Sequence, residues 1–215
     1  MTDVQKGLGA TLSLAPVIPV MVIEELKDAV PLARALCAGG LRVLEITLRT
    51  PSALDCIRAI TAEVPQAVVG AGTVLDDAQM KAVTAAGAQF AVSPGGTERL
   101  LDSARTHGQA WLPGAVTASE VMTMAQAGLQ FLKFFPAVPA GGTAYLSSLA
   151  SVFPQVKFCP TGGIGIGNAG EFLKLSNVIC IGGSWVAPAN LVQSGDWQAI
   201  TELARAASKL GPGRS

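Results

Sequence analysis

Lys133 lies within Phe131-Leu132-Lys133-Phe134-Phe135-Pro136, with apolar neighbours on both sides. A fully desolvated ammonium is costly, so such a lysine must pair with an acid, reach out to water or give up its proton. A neutral lysine amine attacks a ketone and forms an imine, which gives this position a Schiff-base reading. A structural ion pair is the competing reading, and the sequence leaves both open. Glu45 bears on either, because it is the only Asp or Glu within the eight strand-like runs of the chain. Its functional reading is a general acid–base beside an imine. Its plain reading is an ion pair with Lys133 or Arg49. One carboxylate is too few for a typical divalent cation site. The single histidine, His107, excludes sites built from several imidazoles, including the usual catalytic zinc sites. No metal and no cofactor are expected.

Two glycine pairs suggest a different chemistry. Thr161-Gly162-Gly163-Ile164 and Ile181-Gly182-Gly183-Ser184 stand at the ends of the seventh and eighth runs. Bare backbone N–H groups there, with a short helix start, suit a phosphate. Tight strand-to-helix turns are the alternative. Gly165-Ile166-Gly167-Asn168-Ala169-Gly170 matches the dinucleotide fingerprint letter for letter. That fingerprint also needs an acid at the end of the next strand, and the next run ends in Gly182-Gly183-Ser184, so nucleotide binding is set aside. His107 reads as a surface or capping residue late in a helix. Cys159 and Cys180 read as small core residues, and Trp111, Trp185, Met122 and Met124 as packing.

These residues need elements to position them. Short apolar runs recur at 17–23, 43–48, 67–73, 90–94, 110–116, 131–136, 157–162 and 178–184. Most are rich in Val, Ile and Phe, and most end in Gly, Pro, Ser or Thr. Helical patterns lie between them. Residues 24–38 carry Leu26, Ala29, Val30, Ala33 and Leu36 near the 3.6 period and stop at Gly39-Gly40. Thr50 before Pro51 predicts an N-cap, and Thr117 with Glu120 has capping-box spacing. Eight alternating units predict an α/β fold of parallel βα units, a (β/α)₈ TIM barrel. The first fifteen residues predict an extra N-terminal helix closing its bottom. A doubly wound open sheet is the alternative architecture. Barrel chemistry sits at the C-terminal strand ends. Those ends hold Glu45 with Arg49, Thr73, Ser93-Pro94, Pro113, Lys133, Thr161 and Ser184. Alternation places Val43, Glu45, Thr47 and Arg49 on one face, and Phe131, Lys133 and Phe135 on another.

Composition bounds the rest. The chain has 215 residues, of which 50% are apolar and 14% charged, against about 25% charged in an average soluble domain. Such a chain buries a large core and reads as one domain, 1–215. Fifteen basic residues balance fifteen acidic ones, so nothing points to nucleic acid or to an anionic membrane. Cys37, Cys56, Cys159 and Cys180 form no CxxC pair and read as free thiols in a reducing compartment. The apolar stretch 12–23 is interrupted by Pro16 and Pro19 and is too short to span a membrane. Lys6 before it allows a signal-peptide reading, but Asp3 and the lack of a cleavage site count against secretion, so a cytoplasmic protein is expected.

Taken together, Leu44-Glu45-Ile46-Thr47-Leu48-Arg49-Thr50, Gly70-Ala71-Gly72-Thr73-Val74, Phe134-Phe135-Pro136-Ala137 after Lys133, Pro160-Thr161-Gly162-Gly163-Ile164 and Gly182-Gly183-Ser184-Trp185 closely resemble 2-keto-3-deoxy-6-phosphogluconate (KDPG) aldolase. The resemblance runs from about 16 to 210, in the expected order. It implies a homotrimeric, metal-independent class I aldolase. The substrate would be cleaved to pyruvate and D-glyceraldehyde 3-phosphate, and 4-hydroxy-2-oxoglutarate (KHG) to pyruvate and glyoxylate. By the same resemblance Lys133 would form the imine and Glu45 would move protons through a water. Arg49 and Thr73 would hold the pyruvyl carboxylate, Thr161 would contact the C4 region and Phe135 would wall off the imine. Gly162, Gly163, Gly183 and Ser184 would bind the phosphate, and Pro94 is counted with the substrate-binding residues.

Two positions depart from the family pattern. Gly165-Ile166-Gly167-Asn168 replaces a Ser or Thr, often followed by Pro, which predicts Asn168 as the helix cap and a looser loop. Gly96 replaces an apolar residue. The rival readings are an aldolase for the galactonate epimer or for unphosphorylated keto acids, a sugar-phosphate isomerase or epimerase barrel, and a catalytically dead binding protein. Ser184 with Trp185 favours the gluconate-derived substrate. An isomerase has no need of a lysine among phenylalanines, and the intact Glu45, Arg49 and Lys133 set argues against a dead protein.

Overall fold

Eight short parallel strands alternate with helices in the computed structural model, which describes residues 3–211. The strands are β1 (Val17–Met21), β2 (Val43–Thr47), β3 (Val68–Gly72), β4 (Phe90–Val92), β5 (Ala110–Leu112), β6 (Phe131–Phe134), β7 (Lys157–Pro160) and β8 (Ile181–Gly183). The helices are α1 (Asp3–Leu12), α2 (Leu26–Ala38), α3 (Ala53–Glu63), α4 (Asp77–Ala85), α5 (Glu98–Thr106), α6 (Ala118–Gln126), α7 (Gly142–Val152), α8 (Ala169–Leu173), α9 (Ala189–Ser194) and α10 (Trp197–Ser208). The ends of the expected 1–215 domain, and the Asp3 and Lys6 side chains behind the signal-peptide reading, lie outside the described residues.

The closed eight-stranded TIM barrel is not what forms. Six strands make one parallel sheet in the order β5-β4-β3-β2-β1-β8, while β6 and β7 pair as a separate two-stranded ribbon. Only isolated bridges join ribbon to sheet: Gly114 to Lys133 on one edge, and Phe158 to Val178 and Thr161 to Gly182 on the other. The reason lies at the edges. β5 and β8 are three residues long, Pro113 follows β5 and Pro160 ends β7. Proline has no N–H to give a ladder, so at these edges the pairing is cut down to isolated bridges. The result is an open, curled sheet bridged by a ribbon. Its strands follow chain order without reversal, so it is not the doubly wound alternative either.

The extra N-terminal helix is present as α1. Its Leu8 and Leu12 are buried in one cluster with Ile18, Val43, Phe90, Val92, Leu112, Cys159 and Cys180. A Cβ on Gly9 would run into the Phe131 ring, so glycine lets the helix backbone lie against the start of β6. The helix ends follow local chemistry. Thr117 and Glu120 form the expected capping box on α6. Thr50 does not cap α3. Ser52 holds the N-cap position, and both hydroxyls donate to the Ile23 carbonyl, at 2.7 Å each. His107 is the C-cap of α5, with Nε2 3.4 Å from Asp77 Oδ1. No described helix is long and apolar enough to cross a membrane.

Candidate active site

Lys133 and Glu45 meet inside the curled sheet. Lys133 Nζ lies 3.3 Å from Glu45 Oε1, and the two residues are only 6% and 3% exposed. They come from strands far apart in the chain, β6 and β2. The lysine backbone is locked from both sides: its N–H donates to Pro113 O at 2.7 Å and its carbonyl accepts from Ala115 N at 2.9 Å. The Phe135 ring stands over the ammonium, 5.3 Å from Nζ to centroid. Such a contact sets the face of the ring against the lysine nitrogen as an apolar wall. Glu45 is opposite Gly70 in register, and its carboxylate lies where a Cβ on Gly72 would be.

Arg49 lies beyond the strand from which alternation would place it beside Glu45. β2 ends at Thr47, whose Oγ1 donates to Met21 O at 2.9 Å, and Arg49 follows in an exposed turn. The ion partner of Glu45 is therefore Lys133, and Arg49 makes no ion pair among the described residues. Thr73, just past β3, has φ +62° and is the only non-glycine described residue in the left-handed region. Threonine is disfavoured there, and such strain concentrates at functional sites.

Pro94 is half-buried beyond β4. The preceding Ser93 is fully buried, donates to Gly95 O at 2.6 Å and accepts from Trp111 Nε1 at 2.9 Å. Trp111 thus does more than fill space: its indole N–H fixes the hydroxyl that shapes the Pro94 turn. A Cβ on Gly114 would strike the Pro94 carbonyl, so the β4 and β5 ends are in backbone contact beside Lys133.

Thr161 Oγ1 is buried without a hydrogen-bond partner and faces Gly182, where a Cβ would collide with it. Gly162 and Gly163 have φ of +102° and +76°, as only glycine adopts readily. Their carbonyls are taken: Gly162 O accepts from Val138 N and Gly163 O from Asn168 Nδ2. Asn168 stands at the N-cap of α8 but makes no side-chain bond to that helix, so the expected cap is corrected. Its Oδ1 accepts instead from Gly165 N at 2.8 Å, so the expected looser loop is tied at two points. On the neighbouring strand, Gly183 lies under the Trp185 ring, which a Cβ would strike, and Ser184 is exposed.

Cys159 is in register with Lys133 and close enough to Cys180 to hydrogen-bond it. That bond, then burial, then the charges of Cys159 and Glu45, push the Cys180 thiol well above the usual range. Among the described residues no three His, Cys, Asp or Glu side chains gather as a metal ion would require. The roles of Gly72, Trp111 and Asn168 escaped the sequence. Each depends on a through-space contact, although Gly72 stood inside a quoted motif.

Comparison with known proteins bears on this geometry. The family model "Aldolase: KDPG and KHG aldolase" matches residues 8–203. The KHG/KDPG aldolase of Escherichia coli (strain K12) is 54% identical over 196 residues, 91% of this chain and 92% of the relative. A crystal structure of KDPG aldolase from Legionella pneumophila, with pyruvate captured at low pH as a covalent carbinolamine intermediate, superposes with a TM-score of 0.91 at 48% identity, covering 93% of this chain and 97% of the other. The KDPG aldolase of Zymomonas mobilis ZM4 with 3-phosphoglycerate gives a TM-score of 0.90 at 48% identity, covering 99% and 98% of the two chains. A match of this length and identity, over a shared fold, shows that the chain belongs to the KDPG and KHG aldolase family.

Proposed function

We propose that this protein is a class I aldolase cleaving KDPG to pyruvate and D-glyceraldehyde 3-phosphate, and also KHG to pyruvate and glyoxylate. The observation that carries this reading is the buried contact of Lys133 Nζ with Glu45 Oε1 at 3.3 Å. An ammonium beside a carboxylate has an acceptor for the proton it must lose before it can attack. The neutral amine adds to the C2 ketone, forming a C–N bond and a carbinolamine. Loss of water, with a proton delivered by Glu45, gives the iminium. Glu45 then takes the C4 hydroxyl proton through a water. The C3–C4 bond breaks, its electrons flow into the iminium and the aldehyde departs. The enamine left on Lys133 takes a proton at C3, and hydrolysis releases pyruvate and the free lysine. The iminium is the electron sink.

The surrounding residues take the roles that fit their positions. Arg49, exposed and without an ion partner among the described residues, is available to the pyruvyl carboxylate, and Thr73, at the end of the neighbouring strand β3, is assigned to the same group. The orphan Thr161 hydroxyl suits the C4 region. Phe135 shields the imine and Pro94 lines the substrate path. Gly162, Gly163, Gly183 and Ser184 form the phosphate end, consistent with the phosphorylated acid in the Zymomonas relative. The same reading includes a homotrimer working in the cytoplasm. The test is reductive trapping: pyruvate and borohydride should add one pyruvyl group, mapped to Lys133. Label on another lysine, or no label, overturns the reading.

A further inference from the structure

We infer that Asn168 is a positioning residue for the phosphate end of the site, an inference that rests on the aldolase reading above. Three successive carbonyls at the end of β7 are each held by the protein. Thr161 O accepts from Ala137 N at 2.8 Å, Gly162 O from Val138 N at 3.0 Å and Gly163 O from Asn168 Nδ2 at 3.1 Å. A trans peptide is planar, so each following N–H points away from the preceding carbonyl. The Gly163 N–H therefore faces away from Val138, and the Ile164 N–H away from Asn168. Neither N–H donates to any acceptor among the described residues. Ala137 and Val138 follow β6, so the Gly163 N–H is turned from the β6 side toward β8, where Thr161 bridges Gly182 and the chain continues to Ser184. An N–H donor without an acceptor among the described residues, turned toward the strand that leads to Ser184, suits a phosphate oxygen.

The loop does not hold this arrangement by itself. Gly162, Gly163, Gly165 and Gly167 fall within six residues, without proline. With Gly163 lacking a Cβ, the Gly163–Ile164 peptide can turn over, which would aim a carbonyl at the anion in place of an N–H. The Asn168 amide prevents this because it spans the loop, accepting from Gly165 N at 2.8 Å while donating to Gly163 O. Its side chain makes no bond to the start of α8, so capping that helix does not account for it.

The experiment compares Asn168→Ala with the parent protein on KDPG and on unphosphorylated KHG, and measures competitive inhibition by inorganic phosphate. The expected result is a fall in kcat/KM for KDPG of about 10–100-fold, the worth of one hydrogen bond to a charged group. KM should carry the change, inhibition by phosphate should weaken in parallel, and KHG cleavage should hold. Asn168→Asp keeps the acceptor for Gly165 N but loses the donor to Gly163 O, and should show the same selective loss. Parent-like KM for KDPG in either variant, or equal losses on both substrates, overturns the role of Asn168. A parent protein insensitive to phosphate overturns the phosphate reading as well, a failure seen without any variant. Borohydride trapping of pyruvate on each variant reports that the fold and the lysine site are intact.

Discussion

The carboxylate of Glu45 lies over Gly72, in the space a Cβ at that position would occupy. Glycine at the end of β3 therefore does more than allow a turn: it leaves room for the acid to reach Lys133 at 3.3 Å. The contact is with the far end of a flexible side chain, so a larger residue there would move Glu45 before it moved the sheet.

Gly72→Ala should accordingly separate folding from turnover. The variant should keep a parent-like circular dichroism spectrum and melt within a few degrees of the parent, while kcat falls about 10²-fold or more as the proton carrier is displaced. Near-parent kcat in a folded Gly72→Ala would mean that the position of Glu45 is not critical.

Ser184→Ala tests the phosphate end from the other strand. Ser184 is exposed just beyond β8, and a contact of its hydroxyl with the phosphate is part of the proposed function. A hydrogen bond to a charged group contributes about 1.5–3 kcal/mol. Cleavage efficiency on KDPG should fall by the corresponding factor, with KHG nearly untouched. Equal losses on the two substrates would refute a phosphate contact.

Some of this was legible in the sequence and some was not, for identifiable reasons. A lysine among phenylalanines and a lone acid in eight apolar runs leave few options, and Lys133 and Glu45 do meet. The capping box at Thr117 and Glu120 was readable because it is a local, four-residue pattern. Strand alternation does not reach Arg49, because β2 stops at Thr47 and the chain turns there. The closed barrel failed because pairing at its last edges depends on Pro113 and Pro160, whose missing N–H groups interrupt ladders that repeat-counting assumes continuous. Asn168 was expected to cap the next helix, as its type predicts. Which N–H and C=O it reaches was set by the Gly162–Gly163 turn, whose left-handed φ values no spacing rule supplies.

The thiols give a pH prediction. Burial pushes the Cys37 and Cys56 thiols up, and the Cys159 hydrogen bond does so first for Cys180. The native state therefore keeps these groups protonated where the unfolded chain ionises them, around 9.0. Their contribution to stability is complete below that pH and is lost as pH rises through it. Urea midpoints should fall between pH 8 and 10, and the fall should shrink in Cys180→Ala. Native protein should show at most one fast thiol toward a disulfide reagent, from the half-buried Cys37, and four after denaturation. Three fast thiols in the native state would contradict this burial.

Glu45→Gln is the sharpest test of the site. Glutamine keeps the size and polarity of the residue and still fits over Gly72, but it cannot accept a proton. Lys133 loses its only ion partner among the described residues, so the amine must shed its proton to solvent before it attacks. Imine formation then becomes slow but remains possible. Carbon–carbon cleavage suffers more, because removing the C4 hydroxyl proton needs a positioned base at the moment the bond breaks. A general acid–base contributes about 10²–10⁴-fold, and kcat should fall by that order. Pyruvate should still be trapped slowly on Lys133 by borohydride, which shows the fold and the nucleophile to be intact. Exchange of the pyruvate methyl protons with solvent should fall along with kcat, because enamine formation uses the same base. If Glu45→Gln folds normally and retains parent-like kcat and exchange, Glu45 is only the structural counter-ion of Lys133. The proton carrier must then be another group that can reach C4.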